Sequence, residues 1–153
     1  KDKPIAILLL QEHISYTVND KLSEYLGVNV KGGIEGTITN FADHEITKNI
    51  DALPFIAGSV VTNTVNNPNI TVLGSISKTA YTVLNNNDPF DGQPVTIDPP
   101  VMGIVTNFPN TKIFFLGDIN GMESVPQPLT ENIVNWLFKY QSSTPNFFII
   151  WED

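Results

Sequence analysis

The stretch 112-KIFFLGDINGM-122 decides how the rest of the chain is read. Its apolar run from Ile113 to Leu116 stops at Gly117-Asp118, the form of a buried strand that carries a carboxylate at its end. Two readings of Asp118 follow. In one, it stands beyond the carboxyl end of a strand in an open α/β sheet, where functional groups gather. In the plainer one, it accepts backbone N–H groups of the turn 118-DINGM-122, as Asp commonly does in turns.

Working outward, 101-VMGIVTNF-108 turns at 109-PNT-111 into this run, which predicts a β-hairpin. At the other end of the chain, 4-PIAILLLQ-11 is a continuous apolar segment, as in a strand covered on both faces. The segment 17-TVNDKLSEYLG-27 places Val18, Leu22, Tyr25 and Leu26 on one helical face, with Thr17 or Asn19 to cap it and Gly27 to end it in the left-handed region. A short strand near Val28–Val30, a Gly-rich turn at 31-KGGIEG-36 and a strand at 36-GTITNF-41 come next. Further strands are predicted at 54–62, 70–76 and 79–84, separated by 66-NNPN-69 and 85-NNNDP-89; residues 85–100 read as a surface loop.

The clearest helix is 130-TENIVNWLFKYQ-141, capped by Thr130, with Glu131 in its first turn and Lys139 in its last. Ile133, Trp136, Leu137 and Tyr140 form its inward stripe. The final run, 146-NFFIIWE-152, must pair with the sheet or lead into more protein. Two helices and about eight strands predict an α/β domain over residues 1–153. Its expected sheet is mixed, largely parallel and flanked by few helices, with the hairpin as an appendage.

Composition narrows the function classes. Sixteen acids against eight Lys, with no Arg, give a net charge of −8. Phosphate-gripping proteins use Arg forks or a basic stripe, so nucleic acid and anionic membranes are poor partners. No apolar run approaches the roughly 18 residues of a membrane helix, so no membrane insertion is expected. The absence of Cys excludes disulfides and thiolate chemistry. The chain opens at Lys1, which suggests a processed product or a piece of a larger precursor. With one glycosylation sequon, 69-NIT-71, this composition points to an extracellular or cell-surface protein.

Several segments in order resemble non-catalytic class I glutamine amidotransferase-like domains, such as those of intraflagellar-transport, gliding-motility and extracellular bacterial or archaeal proteins. The helix 18-VNDKLSEYLGV-28, the loop 43-DHEITKNI-50, the strand 55-FIAGSVVT-62, the strand 111-TKIFFLGDIN-120 and the helix 131-ENIVNWLF-138 carry the likeness. Glu45 stands where that family has Pro, Asn49 where it has Gly, and 109-PNTK-112 replaces a Gly-Lys-Gly turn. The family's upstream βα units are also missing. The resemblance implies an amidotransferase-like, flavodoxin-like sheet, either trimmed or completed by a preceding segment. It also implies a non-catalytic role, since no residue here matches the nucleophile.

The candidate chemistry is sparse. Segments 11-QEH-13 and 117-GDIN-120 could face one crevice, where Glu12, His13 and Asp118 would suit general acid–base work or a divalent metal. His44, beside Asp43, could join a metal site or simply cap the turn 43-DHEIT-47. The loop 85-NNNDPFDGQ-93 places Asp88 and Asp91 at a density that suits calcium, though turn chemistry explains the same residues. Ser59 and Ser75 follow Gly but make no nucleophile elbow. The leading expectation is a non-enzymatic interaction or accessory domain that binds a protein partner or other domains of its precursor, with no cofactor. The alternatives are a hydrolase or metal-dependent enzyme using Glu12, His13 and Asp118, and a calcium-dependent surface or carbohydrate-binding module.

Overall fold

The computed structural model describes residues 4–11, 21, 25–61, 64, 67–76, 81–82, 98–118, 127–139 and 145–150. In chain order the elements are β1 (Ile5–Leu10), β2 (Val30–Phe41), β3 (Leu53–Val61), β4 (Ile70–Ile76), β5 (Tyr81–Thr82), β6 (Pro100–Val105), β7 (Thr111–Leu116), α1 (Gln127–Phe138) and β8 (Asn146–Ile150). The strands form one eight-stranded sheet in the order β3-β2-β4-β6-β7-β1-β8, with β5 bonded to β2 off that path. Strand β1 runs parallel to both of its neighbours, β7 and β8. Every other pairing is antiparallel.

This overturns the expected helix-flanked, largely parallel α/β sheet of flavodoxin-like or amidotransferase-like type. The protein is mostly β, a curled mixed sheet with one helix among the described residues. The physical reason lies in the connections. Parallel neighbours need long crossovers, usually helical, whereas strands β2 to β7 pair antiparallel with one another and need none. The hairpin is present, but β6 and β7 pair in the middle of the sheet rather than beside it.

The curl begins in β2, a strand of 12 residues. Its last part, Ile38–Phe41, bonds to β4, while its earlier part bonds to β3 and β5. The Gly-rich segment expected to be a turn lies inside this strand. Register shifts on either side of Ile34 mark it as irregular, which is where strand glycines commonly fall. The bent β2–β3 ribbon comes back over the sheet until β3 touches β6 and the end of β7.

Both sheet faces are covered. On one, Leu129, Ile133 and Leu137 of α1 pack on Ala6, Leu8, Leu10, Phe114 and Leu116. On the other, Leu26 and Val28 pack with Leu9, Ile113 and Phe115. Trp136, expected on the buried stripe, is only partly buried, and Tyr140 lies outside the described residues. The helix also begins at Gln127, so Thr130 is inside it rather than capping it, and its first turn holds no acid. Most of the helix expected at 17–27 lies outside the described residues, but Gly27 has φ 81°, the left-handed terminator the sequence called for.

Candidate functional site

Asp118 binds another strand. It is fully buried, and its Oδ2 accepts the backbone N–H of Ile56 at 2.5 Å, from a strand 62 positions away. Beside it, Ser59 N–H donates to Gly117 O at 2.6 Å, and Gly117 N–H donates to Val101 O at 2.9 Å. The two Gly-led dipeptides noted in the sequence, Gly58-Ser59 and Gly117-Asp118, therefore meet face to face. A Cβ on Gly58 would lie 2.6 Å from the Asp118 Cβ and 2.6 Å from the Phe55 ring. Only glycine allows this approach. The arrangement clasps β3 to the end of β7 and supplies the hydrogen-bond partners that β3 lacks on that side.

The other predicted site residues are placed unevenly. Glu12, His13, Asp88 and Asp91 lie outside the described residues, as does the turn after Asp118. Ser59 and Ser75 are buried within strands β3 and β4. Among the described residues, no group of three or more His, Asp or Glu side chains stands where it could hold a metal ion. His44 accepts the Ile46 N–H at Nδ1 over 3.1 Å and sets its ring edge against Trp136, with centroids 6.2 Å apart.

His44 belongs to a joint between the β2–β3 loop and α1. Ile46 is buried, and Thr47 Oγ1 donates to Ala42 O at 2.6 Å and His44 O at 3.0 Å. Asn132 Nδ2 donates to Ile46 O at 3.0 Å and Lys48 O at 2.9 Å, tying the loop to the helix. Glu45 and Lys139 form an ion pair at 2.6 Å, each about two-fifths exposed. The hydrogen bond from Lys139 holds the Glu45 carboxyl below its usual value, against the opposing effect of burial. Lys112, from β7, donates to Trp136 O and to Lys139 O at 2.8 Å, with its Nζ 5.0 Å from the Trp136 ring centroid. Burial lowers its pKa, while Glu45 pulls it back up. A strand lysine, rather than the expected Lys139, thus meets the electronegative end of α1.

The feature that points outward is β8. It is the last strand of the sheet and has β1 as its one neighbour among the described residues. Asn146 N–H donates to Pro4 O at 3.0 Å, so by alternation the N–H and C=O of Phe147 and Ile149 point to the open side. Register puts Phe147 and Ile149 beside Ala6 and Leu8 on the α1 face, and Phe148 beside Ile7 on the other. Phe147, Phe148 and Ile149 are 37%, 49% and 45% exposed. Phe138 of α1 meets Phe147 with ring centroids 5.3 Å apart, and Val134, one helical turn back, is exposed with it. Among the described residues, an unpaired strand edge and an apolar patch coincide here, a combination that isolated domains usually avoid.

The class that fold and site define is a curled mixed β-sheet with one clasped edge and, among the described residues, one open, apolar edge. No protein-family model, curated protein or solved structure matches the chain. Nothing outside the sequence therefore carries its likeness to amidotransferase-like domains, and the sheet itself departs from that fold.

Proposed function

We propose that this chain is a non-enzymatic interaction domain that receives an extended segment of a protein partner along β8. The observation carrying this reading is the coincidence of outward backbone groups at Phe147 and Ile149 with the exposed side chains of Phe147, Phe148 and Ile149. Added strands gain affinity from main-chain hydrogen bonds and specificity from alternating side chains, and β8 offers both. The one residue of the sequence-derived catalytic set that is described, Asp118, supports the same reading. Asp118 holds the β3 backbone, a structural task.

Ile149→Pro tests the proposal. The Ile149 N–H faces away from β1, so proline there removes an outward donor and obstructs an incoming strand while sparing the β1–β8 ladder. Linear peptides selected on the folded wild-type protein should alternate apolar residues and should lose binding to the Ile149→Pro protein. That variant should keep its circular dichroism and melting temperature. Selection of no linear peptide, or equal binding to both proteins, would refute the proposal.

A further inference from the structure

We infer that the strand best fitted to the β8 edge is β8 of a second copy, paired antiparallel about a two-fold axis through Phe148. The inference rests on the docking reading above and names its occupant. The strand has five residues, Asn146–Ile150, with outward-pointing backbone groups at Phe147 and Ile149. When two such strands run antiparallel in full overlap, Phe147 of each meets Ile149 of the other as a hydrogen-bonded pair. All the outward groups of the strand interior are then satisfied by identical groups, the self-complementarity that an isologous interface requires.

The side chains follow the same geometry. Phe148 falls opposite its own copy as a non-hydrogen-bonded pair, the closer kind, and it is the most exposed of the strand's apolar residues at 49%. On the α1 face, Phe147 of each copy lies beside Ile149 of the other and is flanked by Phe138. The two sheets would join into one continuous sheet. The other end of the sheet cannot serve in the same way, because Ile56 and Ser59 of β3 already donate to Asp118 and Gly117.

Two features set the strength of the pair. The exposed apolar area on β8 and α1 amounts to a few large side chains per copy, which places the contact at the small, reversible end of specific interfaces. Each copy also carries a net charge of −8, so repulsion opposes association at low salt. Dimerisation should strengthen as ionic strength rises.

Sedimentation equilibrium over a hundred-fold concentration range should show the mass of the wild-type chain rising from one copy toward two. Phe148→Lys and Ile149→Pro should each remain monomeric over that range with unchanged melting. The lack of native cysteine allows the register to be read directly. Under mild oxidation Phe148→Cys should cross-link to its copy. Asn146→Cys should not, because antiparallel overlap carries the two 146 positions apart. A wild-type chain that stays monomeric throughout would overturn the inference. So would dimers that persist in both variants, or equal cross-linking at 146 and 148. Selected peptides that still bind wild type but not Ile149→Pro would then leave the docking reading standing without the dimer.

Discussion

At the residue scale, Asp118 binds the backbone of a strand far from it in sequence. Its buried Oδ2 holds the Ile56 N–H, so its removal strands a donor as well as losing a bond. Asp118→Asn keeps an acceptor oxygen and should cost about 0.5–1.5 kcal/mol in urea unfolding, whereas Asp118→Ala should cost about 2–3 kcal/mol. A more stable Asp118→Asn protein would show that the charge is held there at a cost. Asn49 makes a second residue-scale case. It has φ 63°, in the left-handed region, at the position where the resembling family carries Gly. Asn tolerates that conformation better than other side chains do. Asn49→Gly should therefore stay within about 0.5 kcal/mol of wild type, and Asn49→Val should lose about 1–2 kcal/mol.

At the scale of elements, α1 is held by its neighbours more than by its own ends. Its first turn lacks an acid and its last turn a base, and Lys112 supplies the missing cation from β7. Lys112→Met keeps the side-chain length but loses both bonds to the α1 carbonyls, and should cost about 1–2 kcal/mol at neutral pH. Because burial lowers the Lys112 pKa below 10.5, the folded state binds fewer protons than the unfolded one as pH nears that value. Stability should rise with pH across that window in wild type and lose this rise in Lys112→Met. Glu45 has the opposite sign. Its carboxyl is held below 4.5 by Lys139, so its contribution is present above that pH and is lost as pH falls through the lowered value. Glu45→Gln should cost no more than about 0.5 kcal/mol at neutral pH, as for exposed pairs, and should flatten the acid limb of a pH–stability curve.

These elements also show what the sequence could convey. Strands β1 and β3 to β8 and helix α1 were legible because apolar runs and periodicity report burial locally. Strand β2 was misread at 31-KGGIEG-36, because glycines that mark a turn in isolation also mark a bend inside a long strand. The parallel α/β reading failed for a related reason. A continuous apolar run reports cover on both faces, and here the cover comes from a curled sheet, α1 and the Leu26–Val28 segment. The Asp118–Ile56 bond, the Lys112 cap and the open β8 edge depend on which distant segments meet, and local patterns do not encode that. The sequence could show only that 146-NFFIIWE-152 had apolar surface to cover.

At the scale of the whole molecule, the two sheet ends are treated oppositely. The β3 end is closed by Gly58, Ser59, Gly117 and Asp118, and the β8 end has no further strand among the described residues. A methyl group at Gly117 would strike the Ser59 backbone carbonyl, and neither backbone can yield without opening the clasp. Gly117→Ala should therefore cost more than about 3 kcal/mol, the range of severe overpacking, in chemical unfolding. A loss below about 1 kcal/mol would show that the curl relaxes freely at that point.

The position of β1 bears on how the chain is made. Ile5 pairs with Thr111 on one side and Asn146 on the other, so β1 finds both of its neighbours far along the chain from itself. Until β7 and β8 leave the ribosome, an apolar segment with two bare edges waits in the nascent chain, exposed to chaperones and to other nascent chains. Such long-range pairing slows folding and ties its completion to β8, the strand whose outer edge has no partner among the described residues.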